Sequence, residues 1–133
     1  NYFDSKDGFY FIIENSILER SVGTISIYDV NEEKREAEFG RYISLNSVNA
    51  IEAEYMLLQF AFDVLKLNSL YCRTADRNIK VWKQHLSFGF RDVGFEEFVG
   101  KGLLLRKQVI TRSEFSDFDY SKIISLISRF SHS

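Results

Sequence analysis

Cysteine and histidine are nearly absent from this chain. One cysteine, Cys72, and two histidines, His85 and His132, stand among 133 residues. A disulfide framework is excluded, and a dedicated zinc site lacks ligands. This thiol usage fits a reduced, cytoplasmic setting. No apolar run reaches the roughly 18 residues that a membrane span requires, and no signal-peptide pattern is visible. Long basic runs are missing too and the net charge is −2, so no nucleic-acid surface is suggested. There are no repeats, no low-complexity linker and no internal boundary. The chain opens on Asn1 without an initiator methionine, which reads as a fragment or a processed chain.

What is abundant is apolar and aromatic. Hydrophobic residues make up 45% and aromatics 16%, with thirteen Phe, enough for one core in a single domain over residues 1–133. Residues 1–8 read as an incoming loop and FYFIIE at 9–14 as a strand. After a turn near Asn15 and Ser16, residues 21–30 form a second strand, with Val22, Thr24, Ser26, Tyr28 and Val30 on one side. NEEKR at 31–35 is a charged turn, and 36–43 a third strand.

Residues 46–68 carry the longest helical pattern. On a wheel of about 100° per residue, Glu52, Gln59, Asp63 and Lys66 form a narrow polar strip and nearly all else is apolar. Such a helix is mostly buried, against a sheet. Asn49 with Glu52 reads as a capping box. Glu54 interrupts the apolar arc and reads as a first-turn carboxylate favoured by the helix dipole. A short strand follows at 70–74. A second helix is expected at 79–88, capped by Asp76 or Asn78 and stopped by Gly89 in left-handed geometry. Strands at 91–98 and 103–111 join at Gly100-Lys101-Gly102 as a hairpin. Ile123, Ile124, Ile127 and Phe130 mark an amphipathic helix in the tail, 117–133. The order β-β-β-α-β-α-β-β-α predicts an α/β (α+β) layer architecture.

That order, with four local matches, resembles the GNAT superfamily of N-acetyltransferases, especially its ribosomal-protein and amino-sugar acetyltransferase branch. VGTISI at 22–27 is similar to the family's IG-x-I-x-I strand, and AEFGRYI at 37–43 to the strand before the coenzyme loop. Glu52-Ala53 followed by FAFDVLKL at 60–67 is similar to the family's long helix. Asp76-Arg77-Asn78 followed by Gly89-Phe90 is similar to its D-x-N…L-G-F segment. The likeness covers residues 9–115.

The resemblance implies a mixed, mostly antiparallel central sheet with helices on both faces, and acetyl-CoA as cosubstrate in a gap between two strands. It places the coenzyme along Ile43, Ser44, Asn46, Ser47, Val48, Asn49 and Ala50, with its pyrophosphate on backbone amides at the helix start, and near Asn78. The family loop is glycine-rich. Residues 44–50 here contain no glycine and run about three residues short, with Asn46 and Asn49 as the residues most tolerant of left-handed geometry. The family's N-terminal helices have no counterpart in this sequence.

Acetyl transfer to an amine needs a deprotonated nucleophile, a donor for the developing oxyanion and a proton for the departing sulfur. Glu38 stands where some relatives carry a base; the plainer reading is a strand carboxylate paired with Arg35 or Arg41. His85 falls where many relatives place a tyrosine that protonates the sulfur, and an imidazole can serve as acid or base. Its plainer reading is a helix histidine packed between Val81 and Phe88. Tyr42 and Arg41 could line the acceptor side. Trp82 reads as a packing or dimer contact, Cys72 as a buried small residue, and His132 as inert. The acceptor would be a small-molecule amine, such as an amino sugar or a polyamine-like amine, or a protein N-terminus. The alternative is a non-catalytic module that binds a partner or forms a homodimer.

Overall fold

The structure, a computed structural model, describes residues 2–5, 8–15, 20–44, 47–98, 100 and 102–131. Ser16, Asn46, Lys101 and His132, on which sequence expectations fell, lie outside them. Seven strands form one sheet in the order β1-β2-β3-β4-β5-β7-β6. They are β1 (Tyr2–Ser5), β2 (Gly8–Asn15), β3 (Arg20–Asn31), β4 (Glu36–Ser44), β5 (Ser69–Ala75), β6 (Arg91–Phe98) and β7 (Leu103–Thr111). Among the described strands only β4 and β5 are parallel. A parallel pair needs a crossover, and α1 (Ser47–Gln59) supplies it. The remaining helices are α2 (Ile79–Ser87), α3 (Arg112–Asp117) and α4 (Ser121–Ser131). The mixed, mostly antiparallel sheet is the one expected.

Side chains alternate across each strand, and one set forms the core. Ile25, Ile27, Phe39, Leu70 and Ile110 pack with Leu57, Leu58 and Ala61 of the crossover helix. Phe60 meets Phe9 and Phe11 edge-on. On this same face α2 lies over Phe39 through His85 and over Gln108 through the Trp82 carbonyl. Phe115 of α3 stacks on Phe62, and Ile123 of α4 joins the cluster. Helices were expected on both faces; every described helix stands on this one. The opposite face carries Ser26, Glu38, Tyr71 and Arg73.

Two elements depart from the sequence reading. Tyr2–Ser5, expected as loop, is an edge strand on β2. Helix α3 lies where no helix was expected, and it starts at a complete capping box: Glu114 N–H donates to Thr111 Oγ1 at 3.2 Å and Thr111 N–H donates to Glu114 Oε1 at 2.9 Å. Gly89 takes the expected left-handed conformation, φ 99°, after α2.

The end of α1 is built unusually. Its last turn, Phe60–Val64, is π-helical, with Leu65 N–H donating to Phe60 O at 2.9 Å. Lys66 then turns the chain at φ 58°, a conformation costly for a residue with a Cβ. Two arginines hold the carbonyls exposed there. Arg35 donates to Leu65 O and Lys66 O at 2.8 Å each, and Arg112 to Leu67 O at 3.0 Å and to Lys66 O.

Tyr120, just before α4, is buried and donates to Phe88 O at 2.6 Å. Burial, and then the Glu54 charge, push its phenol well above the usual range, so it remains a donor. Tyr120→Phe is expected to lower stability by about 1–2 kcal/mol, since it strands a buried carbonyl; urea denaturation measures this. Glu114 gives a pH test. Burial pulls its carboxyl up, but the Thr111 amide and hydroxyl and the Arg91 guanidinium outweigh it and hold the carboxyl below its ordinary value. A lowered carboxyl stabilises fully above the unfolded range near ~4.3 and loses that contribution as pH falls through the folded value. The urea midpoint of Glu114→Gln should therefore fall less on acidification than that of the parent chain.

Candidate active site

Strand β4 cannot follow β5 to its end. The two pair at Glu36↔Ser69, Ala37↔Leu70 and Glu38↔Tyr71, and no further. Beyond that, β5 continues straight along β7 as far as Ala75↔Leu105. β4 stays instead with β3, where the register slips: Ser26 lies opposite Gly40 and Thr24 opposite Ile43, so β4 holds one extra residue. A bulge of this kind bends its strand and sharpens its twist. The result is a fork, open between residues 39–44 and 72–75, with the start of α1 at the far end of one prong and the start of α2 beyond the other.

Beneath the fork, on the helix face, sits a chain of polar groups. Phe39, the first residue past the pairing, meets the His85 ring edge-on at 5.0 Å, and Phe90 lies 5.6 Å from that ring. His85 Nδ1 is 2.8 Å from Glu54 Oε2, and Gln84 donates to Glu54 Oε1 at 2.8 Å. His85 is 2% exposed and Glu54 0%, so the pair is inside the core. Cys72 lies close by; burial and then the charges of Glu54 and Glu38 push its thiol well up, which suits an inert filler and not a nucleophile.

Across the sheet the fork is tied by an ion pair. Arg73 of β5 donates to both oxygens of Glu38, Nε at 2.9 Å and Nη2 at 3.0 Å, and through Nη1 to Glu96 at 3.2 Å. Glu38 is 2% exposed. Its partner is thus Arg73, not Arg35, and both its oxygens are engaged; the Arg41 side chain lies outside the described ones. The Tyr71 phenol is pushed up by burial, and then by the charges of Glu38 and Asp29.

Sequence expectations meet the structure unevenly. Glu54 is not a first-turn dipole partner: α1 opens at Ser47 and has no acid in its first turn. Asn49 and Glu52 both lie inside the helix, so Asn49 does not stand at its N-cap position. Asn78 does precede α2, but its side chain makes no capping bond, while Asp76 is taken by Arg106 at 2.9 Å. Trp82 is a packing residue, its indole N–H on Asp76 O at 2.9 Å and the Arg106 guanidinium 3.8 Å above its ring. Backbone positions Ile43 and Ser44 end β4, and Ser47, Val48, Asn49 and Ala50 form the first turn of α1, beside the fork. Arg73, Gln84 and the pairing of Glu54 were missed. A lone carboxylate in an apolar helix face was the available signal, because a buried charge must have a partner.

A profile for the acetyltransferase (GNAT) domain matches residues 1–91, and the chain belongs to that family. It is thereby an acetyl-CoA-dependent N-acetyltransferase. Solved structures bear out the fold. The chain is similar to the spermidine/spermine N-acetyltransferase SpeG from Vibrio cholerae crystallised with manganese, at 22% identity and a TM-score of 0.76, covering 85% of this chain and 70% of that one. It is equally similar to a chimera of the spermidine N-acetyltransferase SpeG from Vibrio cholerae and hSSAT, at 22% identity and 0.76, covering 86% and 71%. No curated protein sequence gives a significant match. Among the described residues no helix is long and apolar enough to cross a membrane, and no cluster of three or more ligand-type side chains could hold a metal.

The Glu38–Arg73 pair yields a test. Glu38→Gln keeps the shape but removes the charge from a bidentate contact; Arg73 is 37% exposed, so water screens part of the loss. A drop of about 1–2 kcal/mol in unfolding free energy is expected, read by urea denaturation.

Proposed function

We propose that the protein transfers an acetyl group from acetyl-CoA to the primary amine of a small, cationic molecule, within a complex that holds both substrates. The observation that carries this reading is the fork: two strand edges part beside a helix start, and a histidine lies under their junction. Parting edges present unshared amide and carbonyl groups, which suit the amides of a pantetheine arm. Residues 43–50 would hold the coenzyme, its phosphates on the free N–H groups of the first turn of α1, with Asn78 near the arm. Asn78 has a side chain not committed to capping, which supports that role. The coenzyme supplies an activated acyl group; the chain binds it, orients the amine and moves the proton.

His85 is the group we assign to the proton. Glu38, with both oxygens on Arg73, holds the fork together. The similar structures named for spermidine acetylation support a polyamine-like acceptor over a protein N-terminus or an amino sugar. Incubation with acetyl-CoA and spermidine, glucosamine or an N-terminal peptide, followed by thiol release, tests the proposal. Spermidine-dependent release is expected, and His85→Ala should lower kcat roughly 10²-fold. Absence of both release and coenzyme binding at millimolar acetyl-CoA would leave a non-catalytic binding module.

A further inference from the structure

Resting on that reading, we infer that Glu54 is a positioning residue, which fixes the hydrogen of His85 on Nδ1 and leaves Nε2 to exchange protons with the fork. Three observations carry it. The carboxylate and the ring meet at 2.8 Å inside the core, and a carboxylate accepts, so Nδ1 donates. Gln84 donates to the other carboxylate oxygen, which fixes the group against rotation. Every sealed side-chain nitrogen or oxygen among the described residues has a partner, and the bond of His85 is at Nδ1; Nε2 is the ring atom left open. The pair spans α1 and α2, so the ring is set by two separate elements.

The chemistry balances. As the carbon–nitrogen bond forms, Nε2 takes the proton that the amine nitrogen sheds, directly or through water. As the carbon–sulfur bond breaks, Nε2 passes that proton to the sulfur. The ring ends as it began. Other titratable groups near Glu54 are Cys72 from β5 and Tyr120 ahead of α4. Glu38 is on the far face of β4, and Phe39 and Phe90 complete the wall. The Cys72 thiol and the Tyr120 phenol are both pushed up, away from neutrality.

Nitrogen-15 spectra of the unmodified protein locate the ring hydrogen without any variant. Nδ1–H is expected, with coenzyme A moving the Nε2 resonance and leaving Nδ1 nearly unchanged. Hydrogen on Nε2, or an Nε2 resonance indifferent to saturating coenzyme A, overturns the inference. Kinetics give a second reading: Glu54→Gln should lower kcat tenfold or more, keep KM for acetyl-CoA within about twofold and shift the limb of the pH–rate profile that His85→Ala abolishes. A variant that is merely less stable, with an unshifted profile, also overturns it. An unmodified protein that acetylates no amine would instead sink the functional reading, while the ring spectrum still decides the role of Glu54.

Discussion

A β-strand has two edges, and the partners of β4 make unequal claims on them: β3 pairs along its length, while β5 pairs at its start alone. The extra residue between Gly40 and Ile43 resolves the conflict. By bending β4 toward β3 it ends the β4–β5 ladder at Glu38, and everything of functional interest follows from where that ladder stops. The last paired residue turns its carboxylate to one face, and the next, Phe39, turns its ring to the other. One face of the junction thus acquires an ion pair and the other a histidine resting on an aromatic ring.

The two sides are held in different ways. Glu38 and Arg73 form a bidentate contact with the guanidinium partly in water, which keeps the cost of desolvation moderate. Glu54 is fully enclosed, and an enclosed carboxylate persists only where donors saturate it; Gln84 and the imidazole do so. A wholly apolar pairing of α1 with α2 would have packed as well. The polar pair fixes the rotation of both helices about their axes, because a slip of either would strand a charge.

Much of this was legible in the sequence, for identifiable reasons. Long strands with alternation, the charged turn at 31–35 and the wide apolar face of residues 46–65 carry strong local signals, and each element appeared where the pattern placed it. Residues 111–114 spell T-x-x-E, a capping box hidden because it abuts a strand, so α3 was passed over. Tyr2–Ser5 lacks any apolar alternation, and its pairing depends on its neighbour. Of the site, His85 and Glu38 were singled out by position. Their partners were not, since Arg73 and Glu54 lie 35 and 31 residues away and contact at that separation leaves no periodic trace. The bulge, which decides the site, is a matter of register between strands and has no signature in one strand alone.

The end of α1 bears on how the chain assembles. Its carbonyls are held by Arg35, which precedes them by about thirty residues, and by Arg112, which follows by more than forty. A nascent α1 therefore has its first clamp already synthesised and must wait for β7 before it receives the second. Until then the left-handed turn at Lys66 lacks half of its support. The passage from α1 into β5 is thus completed late, after the C-terminal hairpin has closed the sheet.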